Sequence, residues 1–202
     1  MKELVEDVST RLPTSYGEFI LKAYRDPADN TKEHLALIAG DLSQIKSPLV
    51  RIHSECQTGD IFASLRCDCG YQLQEAMKLI AKNKGGAIIY LRQEGRGIGL
   101  IEKLKAYNLQ DKGFDTVEAN LKLGHHADER EYTMATAILS SLGITSVRLI
   151  TNNLNKLKAL QKAGINVDER IALPIEINHQ NRHYLQTKVT KLQHLMDLNG
   201  YQ

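Results

Sequence analysis

Gly85-Gly-Ala-Ile-Ile-Tyr-Leu91 is a short apolar run introduced by two glycines, and it follows the periodic stretch Leu73-Gln-Glu-Ala-Met-Lys-Leu-Ile80. In the earlier stretch, apolar residues recur at positions 73, 76, 77 and 80, which is helical spacing. The later run has the length and the flanking glycines of a buried strand. A helix, a turn and a buried strand in succession favour a chain that alternates helices and strands.

The rest of the chain extends this alternation. Short β-rich runs over residues 16–24, 34–39 and 48–53 precede it, and helices over 99–109, 128–142 and 154–163 with a strand over 147–150 follow. The sequence therefore predicts an α/β protein, with α+β as the alternative, built on a mixed sheet with flanking helices and a strand-rich N-terminal third. We expect a single domain over residues 1–202, with a mobile tail from about residue 175.

Composition limits the classes of partner. The 202 residues are 42% hydrophobic, which is enough to bury a substantial core. No stretch approaches the roughly 20 apolar residues needed to cross a bilayer. The formal charge of +2 gives no general reason to expect nucleic acid or a membrane surface as a partner, and we expect neither.

All three cysteines fall close together, at Cys56, Cys67 and Cys69. Their odd number and the polar opening of the chain are expected of a cytoplasmic protein with reduced thiols. Three thiolates can bind Zn²⁺ and leave its fourth position to water, as catalytic zinc sites do. A closed site with His53 as fourth ligand, or a redox or structural role, remains an alternative.

Three polar segments are candidates for anion binding or catalysis. Glu94-Gly-Arg-Gly-Ile-Gly99 lies between a predicted strand and a helix, where backbone amides can meet a phosphate, although the segment equally suits a plain turn. Thr151-Asn-Asn153, with Lys156 behind it, suits an anion or an ordinary helix cap. Asp128-Glu-Arg130 opens a predicted helix, where acidic residues commonly complement the helix dipole.

An ordered string of motifs carries a more specific signal than any of these segments. It consists of Val50-Arg-Ile-His-Ser-Glu-Cys56, Ser64-Leu-Arg-Cys-Asp-Cys-Gly70, Arg92-Gln-Glu-Gly-Arg96, Asp115-Thr-Val-Glu-Ala-Asn120, Ala127-Asp-Glu-Arg130 and Leu149-Ile-Thr-Asn-Asn153. In this order the motifs resemble GTP cyclohydrolase II. The resemblance runs from about residue 13 into the tail.

The resemblance implies a zinc hydrolase of riboflavin biosynthesis. Such an enzyme converts GTP to 2,5-diamino-6-(5-phosphoribosylamino)pyrimidin-4(3H)-one and releases formate and pyrophosphate. Carried over by motif, the three cysteines would bind one Zn²⁺ per subunit, and Mg²⁺ would accompany the GTP phosphates. The implied GTP contacts are Arg51, Ile52, His53, Ser54, Glu55, Gln72, Glu94, Gly95, Arg96, Thr116, Thr151 and Lys156. A stand-alone enzyme and a homodimer are also implied.

The resemblance also assigns catalytic roles. Asp128 would be the proton acceptor, Arg130 the nucleophile toward the α-phosphate, and Tyr107 the tyrosine associated with ring hydrolysis. A guanidinium stays protonated at ordinary pH, so electrostatic binding of the α-phosphate by Arg130 is the conservative alternative. Side chains at i and i+2 do not face each other on a regular helix, so this pair needs a helix start or a loop.

Two other functional classes compete with the enzyme. A nucleotide-binding regulator would keep the GTP site without catalysis, but the retained Tyr107, Asp128 and Arg130 argue against it. A zinc-dependent nucleic-acid module is disfavoured because the chain has three Phe and no Trp for base stacking.

Overall fold

The strands form one seven-stranded mixed sheet in the computed structural model, which describes residue 4, residues 6–83 and residues 85–198. They are β1 (Glu6–Thr14), β2 (Gly17–Arg25), β3 (Glu33–Ala39), β4 (Leu49–Ser54), β5 (Gly86–Leu91), β6 (Ser146–Ile150) and β7 (Asn166–Ile171). Their order across the sheet is β1-β2-β3-β5-β4-β6-β7. The strand pairs β1/β2, β2/β3 and β3/β5 are antiparallel, whereas β4/β6 and β6/β7 are parallel. The predicted α/β class and mixed sheet are confirmed.

Seven helices accompany the sheet within the described residues. They are α1 (Gln57–Asp60), α2 (Cys69–Lys82), α3 (Gly99–Gln110), α4 (Thr116–Lys122), α5 (Thr133–Ser141), α6 (Leu154–Lys162) and α7 (Arg182–Thr190). Short 3-10 turns cover Leu42–Gln44 and Glu94–Gly97. None of the described helices is long and apolar enough to cross a bilayer.

The apolar residues of β5 alternate between two core clusters because successive strand side chains point to opposite faces. Ala87 and Ile89 join the cluster that contains Ile138 of α5 and Leu160 of α6. Ile88 joins the cluster that contains Ala76, Met77 and Ile80 of α2. Helices therefore cover both faces of the sheet, which is why β5 is apolar along its whole length.

The chain divides into two compact units. The first, here called the sheet unit, comprises residues 1–53, 73–92 and 132–173, and the second, the site unit, comprises residues 54–72, 93–131 and 174–202. The single-domain interpretation stays a prediction. So does the mobile tail, in which the structure places α7; residues 199–202 of that tail lie outside the described residues.

One predicted helix begins in the wrong place. The sequence predicts a helix over 128–142, but α5 begins at Thr133, and residues 128–132 form a loop. The acidic residues that suggest a first helical turn make other bonds: Asp128 pairs with Arg130, and Glu129 accepts from the His126 amide. The sequence predicts that this pair needs either a helix start or a loop, and the structure shows a loop.

Candidate functional site

The three cysteines converge in the site unit. Cys56 lies just beyond β4 and precedes α1, Cys67 lies in the following loop, and Cys69 is the first residue of α2. Their sulfur atoms lie within 4.8 Å of one another, and the Cys56 and Cys67 Sγ atoms are 3.7 Å apart. Tetrahedral zinc with Zn–S bonds of about 2.3 Å requires sulfur atoms about 3.8 Å apart. The cluster therefore fits three ligands of one zinc ion.

Two glycines make this cluster possible. A Cβ atom at Gly59 of α1 would lie 2.8 Å from Cys67 Sγ, and one at Gly70 would lie 2.2 Å from the Gly59 carbonyl oxygen. Real Cβ atoms do not approach so closely, so any side chain at either position would push α1 away from the start of α2.

The thiols share one negative charge. Hydrogen bonds from Cys67 and Cys69 lower the pKa of Cys56, whereas the hydrogen bond with Cys56 helps to raise the pKa of Cys67 to about 11. The pKa of Cys69 is also raised, first by its hydrogen bonds with the other two thiols and then by burial. Cys56 is therefore the thiolate of the metal-free cluster, and a bound metal must displace protons from the other two.

Lys103 of α3 supplies a positive charge beside that thiolate. Its Nζ atom donates to Cys56 Sγ at 3.1 Å and to Glu94 Oε1 at 2.8 Å. Burial alone would lower the pKa of Lys103, but the charge of Cys56 and the hydrogen bond and charge of Glu94 raise it overall. The side chain is therefore a cation although only 9% of the residue is exposed. Sequence reasoning missed it because a lysine on a helix usually lies in solvent.

Tyr107 lies next to the cysteine cluster through Thr58. The Tyr107 Oη and Thr58 Oγ1 atoms are 3.4 Å apart, and Thr58 Oγ1 lies 3.5 Å from Cys56 Sγ. The Arg66 guanidinium stacks 4.3 Å from the centre of the tyrosine ring. Burial raises the pKa of Tyr107 to about 12, so its hydroxyl keeps its proton at neutral pH. The hydroxyl is consequently available as a hydrogen-bond donor near the cluster.

Asp128 and Arg130 form a bidentate ion pair in the loop before α5. Arg130 donates from Nε to Asp128 Oδ1 at 2.8 Å and from a terminal nitrogen to Oδ2 at 2.5 Å. Burial would raise the pKa of Asp128, but hydrogen bonds and charge from Arg130, with the charge of Arg96, lower it overall. Both members are therefore ionised in the metal-free, ligand-free protein.

The glycine-rich segment forms a turn that leaves two side-chain donors without partners among the described residues. Gly95 and Arg96 both have left-handed backbones, with φ of 64° and 62°. The two terminal nitrogens of Arg96 are buried and have no hydrogen-bond partner among the described residues. The ring of Tyr184 in α7 lies 5.8 Å from the Arg96 guanidinium, and the Glu129 amide donates to the Arg96 carbonyl. Arg96 thus has spare donors for an oxyanion.

Most of the other predicted GTP contacts of the site unit form hydrogen bonds with neighbouring groups. Glu94 also accepts from the Gln57 amide at 2.6 Å, and Ser54 Oγ accepts from Gln93 at 2.9 Å. Glu55 accepts from Gln57 at 3.5 Å. Gln72 donates to Asp68 Oδ2 at 2.6 Å, and Thr116 begins α4 directly after its capping residue Asp115.

The remaining predicted GTP contacts lie in the sheet unit, near the carboxyl ends of β4 and β6. Arg51 donates to the Ile150 carbonyl at 3.2 Å, and Lys156 donates to the Ile52 carbonyl at 2.7 Å. His53 stacks on the Tyr90 ring, and Thr151 Oγ1 accepts from the Asn153 amide. The carboxyl ends of parallel strands are where α/β sheets commonly bind ligands.

The sequence profile of GTP cyclohydrolase II matches residues 5–172. The chain belongs to the GTP cyclohydrolase II family. It is 52% identical to a GTP cyclohydrolase-2 from Proteus mirabilis over 92% of this chain and 93% of that protein. It is also 52% identical to a riboflavin biosynthesis protein RibBA from Chlorobium phaeovibrioides over 94% of this chain, and 51% identical to RibBA from Bacillus cereus over 96%.

Relatives of this family differ in length. The chain spans 46% of the Chlorobium protein and 49% of the Bacillus protein. A solved structure of RibBX from A. baumannii, a two-domain 3,4-dihydroxy-2-butanone 4-phosphate synthase, aligns with 87% of this chain and 41% of that chain. Its TM-score of 0.45 and identity of 19% are too low to bear on the GTP cyclohydrolase II fold.

Proposed function

We propose that this chain is a zinc-dependent GTP cyclohydrolase II. It would convert GTP to 2,5-diamino-6-(5-phosphoribosylamino)pyrimidin-4(3H)-one with release of formate and pyrophosphate, in riboflavin biosynthesis. The observation that carries the proposal is the cysteine cluster, whose sulfur spacing suits one zinc ion, in a chain of this family. Bound zinc supplies Lewis acidity and a nucleophilic water at neutral pH.

The side chains near the cluster support hydrolysis of the guanine imidazole ring. Ring opening requires proton transfer to a ring nitrogen as water adds to the neighbouring carbon. Tyr107 keeps its proton at neutral pH and lies beside Thr58, within the site unit that holds the cysteines. We therefore propose that Tyr107 orients a reacting group by donating a hydrogen bond.

Several cationic and polar side chains support binding of the triphosphate. Arg96 has two buried donors without hydrogen-bond partners among the described residues, and it is proposed to bind a phosphate oxygen. Arg51, Thr151 and Lys156 of the sheet unit are proposed as further GTP contacts. Mg²⁺ bound with the phosphates would neutralise the remaining charge of the pyrophosphate leaving group.

Arg130 admits two roles at the α-phosphate. A nucleophilic role requires loss of a proton, for which Asp128 is the nearest acceptor. The lowered pKa of Asp128 makes it a weak base, which supports the electrostatic role for Arg130 instead. A search for a guanylyl-enzyme adduct in the wild type, with turnover of Arg130→Lys measured alongside, separates the two roles. No adduct and a working lysine variant would exclude the nucleophile.

The proposed reaction is tested by product analysis. Zinc-loaded protein incubated with GTP and Mg²⁺ should release formate and pyrophosphate in equal amounts. Tyr107→Phe removes one hydroxyl and leaves a ring for Arg66 to stack on, so this variant should keep its zinc and lose formate release. Pyrophosphate without formate from the wild type would refute ring hydrolysis. GTP binding with neither product would indicate a regulator.

A homodimer in the cytoplasm is also proposed from the family resemblance. Large apolar side chains on the site unit support self-association, since Phe62 is 74% exposed and Ile101 is 71% exposed. Sedimentation or light scattering would give the mass in solution, and a monomer at micromolar concentration would contradict the dimer.

A further inference from the structure

Lys103 differs from the other lysine of its helix, Lys105. Lys105 lies two residues further along α3 with its side chain 56% exposed, and it pairs with Glu102 at the surface. The Lys103 side chain instead turns inward, between Cys56 Sγ at 3.1 Å and Glu94 Oε1 at 2.8 Å. Ammonium groups are rarely buried unless they are paired with an opposite charge and hydrogen-bonded.

Glu94 holds this ammonium in place. Its Oε2 accepts the Gln57 amide at 2.6 Å and its Oε1 accepts the Gly95 amide at 2.6 Å, so the carboxylate is fixed by the backbone on either side. The third contact of that carboxylate is Lys103. A lysine anchored in this way can keep a constant distance to the sulfur atom.

The charge of the cysteine cluster explains why a hydrogen bond from Lys103 to Cys56 would affect a bound metal. Three thiolates around Zn²⁺ carry a net charge of −1, and strong electron donation from sulfur weakens the metal as a Lewis acid. A cation that donates a hydrogen bond to one of the sulfur atoms offsets that charge and withdraws electron density from the metal–sulfur bond.

We infer that Lys103 is a positioning residue that tunes the metal centre through a hydrogen bond to the Cys56 thiolate. The inference rests on the zinc centre of the proposed function, and it assigns a role to a residue outside the motif contacts with GTP. If Lys103 only filled space beside Glu94, an apolar side chain of similar length would leave the electronic properties of the bound metal unchanged.

The test uses Co²⁺ as a spectroscopic substitute for zinc in the full chain. Wild type, Lys103→Met and Lys103→Arg are loaded with Co²⁺, and the sulfur-to-metal charge-transfer band is recorded. Lys105→Met is the matched control, because it removes the same charge from the same helix without touching sulfur. We expect the band to move to lower energy in Lys103→Met, to return toward the wild-type position in Lys103→Arg, and to stay in place in Lys105→Met.

Kinetics provide the second readout. Zinc-loaded Lys103→Met should lose about 10–100-fold in kcat, with a much smaller change in KM for GTP. If Lys103→Met does not fold, Glu94→Gln combined with Lys103→Met removes both buried charges, and the band of that double variant decides the question in the same way.

The outcomes separate this inference from the proposed function. A Lys103→Met band displaced no further than that of Lys105→Met overturns the role of Lys103 and leaves the zinc centre intact. A wild type that binds neither Co²⁺ nor Zn²⁺ overturns both. A displaced band in a protein that releases no formate supports the tuning role and refutes the hydrolase.

Discussion

Breaking the ion pair between Lys188 and Asp68 should destabilise the protein strongly. Lys188 of α7 donates to Asp68 Oδ1 at 2.5 Å, with side-chain exposures of 8% and 0%. Asp68 lies between Cys67 and Cys69, and its other oxygen accepts from Gln72. Lys188→Met would leave a buried carboxylate without its cation. Removing one partner of a buried pair costs about 3–5 kcal/mol.

The size of the effect can be measured by thermal unfolding. For a chain of this length, a loss of about 3–5 kcal/mol lowers Tm by roughly 7–12 °C. Lys188→Met combined with Asp68→Asn removes both charges and should recover most of that loss. Lys191→Met is the matched control, because Lys191 follows the same helix and is ion-paired, but its side chain is 41% exposed. Loss of this exposed lysine should lower Tm far less, because water screens a surface ion pair.

A small loss of stability in Lys188→Met would refute this reasoning. If Lys188→Met lowers stability by no more than Lys191→Met, α7 does not hold Asp68 in solution. That outcome would favour the mobile tail expected from residue 175 onward. Circular dichroism of metal-free and zinc-loaded samples provides both comparisons, and the zinc content of Lys188→Met shows whether the cysteine loop keeps its shape.

Three further outcomes are expected. Burial lowers the pKa of His34 although Asp26 opposes the shift, so at acidic pH the unfolded chain binds one more proton than the folded protein. The urea concentration at the unfolding midpoint should therefore decrease as the pH is lowered below about 6.5, and it should decrease less in His34→Gln. Zinc binding near pH 7.5 should release about two protons, from Cys67 and Cys69, as calorimetry in buffers of different ionisation enthalpy would show. Release of about three protons would contradict the assignment of Cys56 as the thiolate of the metal-free cluster. Asp115→Ala removes the cap of α4 and should cost about 1–2 kcal/mol in urea unfolding, whereas Asp115→Asn should cost less.

Local sequence patterns predict the buried strands well and the edge strands poorly. The apolar runs that form β3, β4, β5 and β6 are predicted to within two residues, because alternating or continuous apolar residues mark a strand that faces a core. The edge strands β1 and β7 are mostly polar and exposed, so no such pattern marks them. The position of β5 between β3 and β4 depends on long-range pairing, which no local pattern encodes.

The candidate site also contains some residues that the sequence predicts and others that it does not. The cysteine cluster is predictable because three thiols so close in sequence, in a polar stretch, are typical of a metal site, and their sulfur atoms do converge. The GTP contacts and catalytic roles stay predictions that rest on the family. Lys103 carries no signal in the sequence, since it becomes notable only when folding brings it to Cys56. Thr58 lies two residues beyond Cys56, but it becomes notable only when folding brings Tyr107 to its hydroxyl. Burial of a polar side chain is a property of the tertiary structure, and sequence periodicity reports it only for apolar residues.

The left-handed backbone of Arg96 bears on how this protein is to be engineered. A residue with a Cβ atom at φ 62° carries a conformational cost of order 1–3 kcal/mol that glycine or asparagine would largely avoid. A library selected for heat resistance alone would therefore replace this arginine early, and its winners would lack the donors proposed to bind phosphate. Thermostable versions should be selected with Arg96 held constant, because the residue that best stabilises this backbone conformation is not the one proposed to bind phosphate.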